Sequence, residues 1–354
     1  MTECKRCLFT SDFAKIMPDG ECEYCKLHDQ LESQANPSDL LPIVDKIKRK
    51  GKGNQYDCLI GISGGLDSST LLYWAVVNAG LRPLVIHFDN GWNVPQAEHN
   101  MQMLIEKLSV SAITYRVDRE EYDELNRAFL SAGTPDCDIP NDIAMTKLMY
   151  DTADKWGIKY ILNGHDFRTE GSTPAKWTYM DAKYIQSVYA NGARGAKLKS
   201  YPLFTFSDQI KYALKGIEQV RPFHYGIDRV NVERQMKRLI DWQDYGGKHC
   251  ENVYTEYIGA YVLPVKFGID KSIVYLSAQV RSGTMSKEAA KIKMKLKPKF
   301  DLSKLNDRTF VADLDHIRDR SEFDRYDFKK WWPVIWLLAK LKVVPYTMYA
   351  KYCK

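Results

Sequence analysis

Four cysteines open the chain in the pattern C-x2-C-x14-C-x2-C: Cys4, Cys7, Cys22 and Cys25. Each CxxC pair can turn both thiolates toward one point, and two pairs complete a tetrahedral S4 shell whose natural occupant is zinc. Two disulfides or four free thiols are the competing readings. Four thiolates leave no open coordination position, so the expected metal is structural, with Lys5 and Arg6 offsetting the negative charge of the cluster. A second group, Ser63-Gly64-Gly65-Leu66-Asp67-Ser68-Ser69, has the makings of an anion cradle. Two glycines admit close approach of the backbone, successive N–H groups and a helix N-terminus point at the anion, and three hydroxyls add donors. A Walker A loop would continue into Gly-Lys-Ser/Thr; no Lys follows here, which excludes a kinase-type P-loop.

Further along, Lys248, His249, Lys266, Lys271 and Arg281 place positive charge among Tyr254, Tyr257 and Tyr261, a composition suited to a phosphorylated or carboxylated sugar. The alternative is a helical subdomain with solvated lysines. Lys291, Lys293, Lys295, Lys297 and Lys299 form a basic run that reads as a solvated helix face followed by a linker in preference to an RNA contact. Cys137, between Asp136 and Asp138, is expected to be structural, because two neighbouring carboxylates discourage a thiolate. Residues Trp331 to Leu341 suit either a partner or membrane-surface helix or one docked on the core, and the second is the commoner outcome.

The elements that position these residues alternate. Tyr56–Ile62 reads as a strand that ends at the Gly-rich turn and leads into a helix, Ser68–Ala79, with Leu71, Leu72, Ala75 and Val76 on one face. Strands are expected at Pro83–Phe88, Ile113–Val117 and Tyr160–Asn163, and helices at Pro95–Leu108, Glu120–Ala132 and Ile143–Trp156. That alternation predicts an α/β fold with a Rossmann-like parallel sheet. A four-Cys unit over 1–30, a polar link with Pro37 and Pro42, a nucleotide-type domain over 50–175 and a mainly helical region over 176–354 complete the expected organisation. Helices are expected there at Val230–Trp242 and Ser286–Lys297.

Composition bounds the rest. The 354 residues carry 51 Lys+Arg against 45 Asp+Glu, and a surplus this small does not call for a nucleic-acid partner. With 45% apolar residues the chain buries a sizeable core, which rules out disorder as its main character. Its longest uncharged run, Ser68 to Leu81, is shorter than the roughly 20 apolar residues of a membrane span. The opening MTECKRCLF has polar residues and Cys where the apolar core of a secretory signal would begin, so a reducing, cytoplasmic setting is expected.

These motifs carry a resemblance. The loop Ser63 to Ser69 resembles the PP-loop of the adenine nucleotide α-hydrolase-like enzymes, which use ATP to adenylate an oxygen and release pyrophosphate. The resemblance implies that Ser63, Gly64, Gly65, Asp67, Ser68 and Ser69 hold the triphosphate. It also implies that the strand end around Phe88 and Asp89 contacts the adenosine, and that Gly164 and His165 close the site. The stretch YGGKHCENVYTEYIGAYVLPVKFGIDK from Tyr245, continuing through YLSAQVRSGTMSKEAA, narrows the likeness. Together with the four-Cys unit it resembles the N-acetyl sugar amidotransferase (WbpG-like) family of bacterial surface-polysaccharide biosynthesis. Cys250 departs from the bulkier polar or aromatic residue expected after Gly-Gly-Lys-His.

What the resemblance implies is an ATP-dependent synthetase that adenylates the N-acetyl group of a nucleotide-linked sugar and replaces its oxygen with ammonia, giving an acetamidino sugar for lipopolysaccharide O-antigen. Ser63, Asp67 and His165 are the expected catalytic residues, and Lys248, His249, Glu251, Lys266, Lys271 and Arg281 the expected substrate contacts. ATP, Mg2+ and Zn2+ are the expected cofactors, with Asp67 able to reach Mg2+ through water. No glutaminase signature is present. Ammonia is therefore expected from a separate glutaminase built of subunits like the amidotransferase and cyclase of histidine biosynthesis. The alternative is a PP-loop tRNA-modifying enzyme of thiolase type, which needs reactive cysteine near the nucleotide.

Overall fold

The computed structural model describes residues 2–174, 177–193, 195–296, 299–305, 322–341, 349 and 352–353. Lys297, from the basic run, lies outside the described residues, as does much of the region beyond 305. Five parallel strands, β1 (Cys58–Gly61), β2 (Pro83–Asp89), β3 (Ser111–Arg116), β4 (Tyr160–Leu162) and β5 (Glu218–Val220), lie in the order β3-β2-β1-β4-β5. β1 and β2 are buried along nearly their whole length, as the unbroken runs Cys58-Leu59-Ile60 and Leu84-Val85-Ile86 require of strands covered on both faces. Their alternating side chains feed two cores. Leu59, Leu84 and Ile86 pack with α5 (Arg119–Ser131) and α6 (Ile139–Lys155), whereas Ile60 and Val85 pack with α2 (Leu40–Gly51), α3 (Leu66–Tyr73) and α9 (Arg229–Ile240).

The strand order reverses between β1 and β4, and open α/β sheets bind ligands at the carboxyl ends flanking such a switch. β1 delivers Ser63 to Ser69 there, and β4 delivers Asn163 to Asp166. The expected strands and helices of residues 56–156 are present within a few residues. α4 (Pro95–Leu108) agrees at both ends because Pro95 starts it and Ser109 stops it in the left-handed conformation. The helix after the loop ends its α-helical part at Tyr73 and continues as a π turn over Trp74–Asn78.

Three expectations need correction. The sheet extends past residue 175, since β5 pairs with β4; a strand of three residues, two of them exposed, carries too little pattern to announce itself. The link over 30–50 is helical, in α1 (Glu23–Gln34) and α2, with Pro37 in a 3-10 turn between them and Pro42 accommodated in the first turn of α2. The stretch Trp331 to Leu341 does not dock fully. Its helix Trp332–Lys340 buries Ile335 and Ala339 and leaves Trp331, Trp332, Val334 and Leu337 exposed.

The region beyond β5 is helical, as expected, with α7 (Ala182–Gly192) and α8 (Phe206–Leu214) preceding it. α10 (Val253–Tyr257) and α11 (Leu263–Phe267) join through a π turn, followed by α12 (Ser272–Arg281), α13 (Lys287–Lys295) and α14, the helix Trp332–Lys340. No helix among the described residues is long and apolar enough to cross a membrane.

Gly64 sits at φ +75°, and a Cβ there would come within 2.0 Å of the Ala97 carbonyl oxygen of α4. Gly64→Ala is therefore expected to destabilise by more than about 2 kcal/mol, from the clash added to the backbone strain. Gly53→Ala, at φ +87° with nothing within 4 Å, isolates the strain alone and is expected to cost only about 1 kcal/mol. Chemical denaturation of the two variants measures the difference; equal losses would contradict the packing role of Gly64.

Candidate functional site

The loop is held by its own hydroxyls. The Ser63 N–H donates to Ser68 Oγ and the Gly65 N–H to Ser63 Oγ, both at 3.2 Å, while the Leu66 N–H donates to the Tyr245 hydroxyl at 2.7 Å. Ser69 is fully buried in α3, and its hydroxyl has no hydrogen-bond partner among the described residues. Gly65 has ordinary backbone angles, but a Cβ on it would lie 2.9 Å from Glu251 Oε1, so its missing side chain leaves room for Glu251 at the mouth of the loop. Gly164 brings β4 against the start of α3: a Cβ there would meet the Asp67 carbonyl at 3.1 Å.

Asp67, in the first turn of α3, accepts from Lys248 Nζ at 2.9 Å and also pairs with the Arg229 guanidinium. Arg229 donates to Thr169 Oγ1 at 2.9 Å and faces Asp166 at 3.7 Å, and Lys248 faces Glu170 at 3.9 Å. Burial lowers the pKa of both cations and raises those of Asp166, Glu170 and Glu251. Two cations thus stand at the positive end of α3, where helix dipole and loop N–H groups already favour negative charge. His165 donates from Nε2 to the Gly171 carbonyl at 3.1 Å, which leaves Nδ1 to accept from His224 at 3.5 Å. Burial, followed by the charge of Arg221, lowers His165 to about 4, so the ring is neutral near pH 7 and orients the loop.

The end of β2 is clamped to the C-terminal region. His87 joins the Ile62 carbonyl at 2.9 Å and the Asn93 amide at 3.1 Å; Asn93 bridges Asn252, whose amide also donates to Asn90 Oδ1 at 2.9 Å. Phe88 points into the core against Tyr122, so only its backbone is available to a nucleotide. Asp89 is engaged with Gly91 N–H and Arg116.

Of the expected substrate residues, Lys248 and Glu251 reach the loop. His249 stands exposed on the same turn at φ +66°. Lys271 faces a separate group of carboxylates, Asp138 and Asp142, and burial raises Asp138 to about 7. Lys266 lies on α11, apart from the contacts described around Asp67. Arg281 is elsewhere: its guanidinium lies 5.0 Å over the Phe9 ring, beside the cysteines. Arg229 and Tyr245 were not among the expected site residues; Tyr245 borders the Gly-Gly-Lys-His stretch, whereas nothing local marks Arg229. Cys137 is fully buried and donates to the Thr134 carbonyl at 2.9 Å, and burial pushes its thiol well up, as a structural cysteine requires. In the basic run, Lys291 pairs with Glu3 at 2.8 Å, as does Lys287 at 3.2 Å, so this face docks on the N-terminal unit.

Sulfurs of Cys4 and Cys25 lie 3.7 Å apart, and those of Cys7 and Cys22, and of Cys22 and Cys25, 3.6 Å. Disulfides, at about 2.05 Å, are excluded. A tetrahedron with metal–sulfur bonds of about 2.3 Å sets its sulfurs about 3.8 Å apart. The four cysteines therefore fit one mononuclear ion, whereas an iron–sulfur cluster divides four thiolates among two or four irons and spreads the sulfurs farther. Arg281 supports an anionic centre: it is buried, and Nε and Nη2 have no hydrogen-bond partner. Such a cation is costly unless a buried negative charge lies nearby, and a tetrathiolate around a divalent ion supplies one. Arg6 serves otherwise, gripping Asp29 at 2.7 and 2.9 Å and the Arg281 carbonyl at 2.9 Å.

Arg281→Met is accordingly expected to weaken metal retention about tenfold or more, while Lys266→Met leaves it unchanged. Competition against a chromogenic chelator measures this; an unaltered affinity in Arg281→Met would place the balancing charge elsewhere.

Residues 251–351 match the family model described as LPS biosynthesis protein WbpG-like, C-terminal domain. No curated protein matches the chain. Among solved structures, the chain is similar to NMN synthetase from Francisella tularensis, with 15% identity, a TM-score of 0.29, and coverage of 60% of this chain and 99% of that one. It is also similar to the U34-tRNA thiolase NcsA from Methanococcus maripaludis with its 4Fe-4S cluster, with 10% identity, a TM-score of 0.30, and coverage of 84% and 90%. The PP-loop architecture rests on the loop and the parallel sheet themselves, and the resemblance to the WbpG-like family, carried by the four-Cys unit and the stretch from Tyr245 through YLSAQVRSGTMSKEAA, is borne out by the family model over 251–351.

Proposed function

We propose that the chain is the synthetase subunit of an amidotransferase that adenylates the N-acetyl group of a nucleotide-linked sugar and replaces the acetyl oxygen with ammonia. The observation that carries this reading is the pairing of Asp67, in the loop, with Lys248, three residues before the WbpG-like domain begins. That contact ties a polyphosphate-type loop to the segment bearing the family likeness.

An amide oxygen is a poor leaving group. Attack of that oxygen on the α-phosphorus of ATP releases pyrophosphate, and loss of the amide proton leaves an O-adenylyl imidate. Ammonia then adds to its carbon and AMP departs with the former acetyl oxygen, leaving an amidine. In this reading Lys248 and Arg229 meet the charge that develops on the departing pyrophosphate, and the Gly65 and Leu66 N–H groups exchange their hydroxyl partners for phosphate oxygens. Glu251, its carboxyl pushed up by burial, accepts a proton from the attacking amine. Mg2+ enters with ATP and neutralises phosphate charge. Zinc in the four-cysteine site is structural, and the thiolates leave no position for a reactant. The tRNA-thiolase alternative gains nothing from Cys137, a buried thiol bound to a carbonyl.

With a mixture of nucleotide-linked N-acetyl sugars, ATP, Mg2+ and ammonium, the isolated chain is expected to form AMP and pyrophosphate together with a sugar about 1 Da lighter, read by mass spectrometry. Glutamine alone is expected to fail until a separate glutaminase is added, because the nucleophile is neutral ammonia. Asp67→Asn and Lys248→Met are each expected to slow turnover at least about a hundredfold. Substrate-dependent ADP, or efficient use of glutamine by the isolated chain, would contradict the mechanism or the partner respectively.

A further inference from the structure

The helix Trp332–Lys340 is apolar nearly all round, and the 3-10 turn before it contributes Lys329, Lys330 and Trp331. A helix of that character belongs in an interior. Here only one stripe is covered: Ile335 and Ala339 are buried, and Ala339 joins Phe206, Tyr326, Phe328 and Tyr352. Trp331, Trp332, Val334, Trp336, Leu337 and Leu341 remain between 37% and 64% exposed. Six large apolar side chains on one short element exceed the scattered exposure normal for a protein surface and mark something that covers them.

The charges around the patch say what kind of surface that is. From Lys329 to Leu341 the sequence has Lys329, Lys330 and Lys340 and no acidic residue. Lys340 lies with its ammonium 4.2 Å from the centre of the Trp336 ring, so its stem runs along the patch while the charge stays at the rim. Tyr326, packed beneath the helix, also lines an open groove of about 470 Å3 with Lys183, Lys197 and Asp324. Protein–protein interfaces favour tryptophan but are depleted in lysine. Tryptophans at an apolar patch flanked by Lys329, Lys330 and Lys340 are instead the composition of a helix lying in the boundary of an anionic bilayer.

We infer that this helix docks the protein peripherally on an anionic membrane surface, with the tryptophans at headgroup depth and the lysines facing lipid phosphates. The inference stands on the exposed patch and its charges and is independent of the reaction assigned to the loop.

The test uses the full, metal-loaded chain, floated on a density gradient with vesicles of phosphatidylcholine or of phosphatidylcholine mixed with phosphatidylglycerol. Flotation is expected with the anionic vesicles only, accompanied by a blue shift of tryptophan emission and reversed by salt. Trp332→Ser combined with Leu337→Ser is expected to lower partitioning about tenfold or more, with metal content and circular dichroism unchanged. Lys329→Gln combined with Lys330→Gln is expected to weaken it as well. Absence of flotation with anionic vesicles, or flotation insensitive to the serine pair, overturns the proposal. So does a doubling of mass in solution that the serine pair abolishes, which would make a second copy of the chain the occupant.

Discussion

The Asp67 carboxylate, held between Lys248 and Arg229, is the contact on which the arrangement of the site depends. It comes from the helix after β1, Arg229 from the helix after β5, and Lys248 from the turn that precedes the C-terminal region, so three distant segments meet at one anion. The three side chains are between 12% and 30% exposed, so the contact is only partly shielded from solvent. Removing one partner therefore costs less than the roughly 3–5 kcal/mol of a fully buried pair, because water reaches the charges that remain. The two cations are shared further, Arg229 with Asp166 at 3.7 Å and Lys248 with Glu170 at 3.9 Å, so the same contact that assembles the site holds both cations beside the loop.

The four-cysteine unit reaches this site through α12. The Leu8 N–H donates to Ser277 Oγ at 3.2 Å, and Arg6 holds the carbonyl of Arg281 at the end of that helix. Ser282 then donates to the Arg168 carbonyl at 2.9 Å, two residues from Asp166 and three from His165. A metal that fixes the N-terminal unit therefore fixes the loop after β4 by way of one helix. The orphaned guanidinium of Arg281 makes this link electrostatic as well as steric, since its burial is tolerable beside an anionic tetrathiolate.

Much of this was legible from residue types. Cysteine spacing located the sulfur tetrahedron, and the alternation of apolar runs with helical periods located four strands and the loop at the end of β1. Parallel strands buried on both faces leave such runs in the sequence. β5 left no comparable trace, because Glu218 and Gln219 are exposed and its place is set by pairing with β4. Arg229 could not be found because its partner Asp67 is far away in sequence and no local pattern marks an ion pair of that range. Arg281 was expected among the substrate contacts because charge near a recognised motif invites that reading; its place is decided by α12, whose C-terminal end packs on the cysteine unit. The helix at Trp332 was expected to be covered for the same reason that most apolar helices are, and its surroundings supply only one buried stripe.

The most direct test of the central claim follows the acetyl oxygen. A nucleotide-linked N-acetyl sugar labelled with 18O at the acetyl carbonyl is incubated with the chain, ATP, Mg2+ and ammonium, and the AMP is analysed by mass spectrometry. If the loop adenylates that oxygen, each AMP formed in turnover carries one 18O and the sugar product carries none. Unlabelled AMP accompanying amidine formation would contradict adenylation of the amide and require a different route to the product.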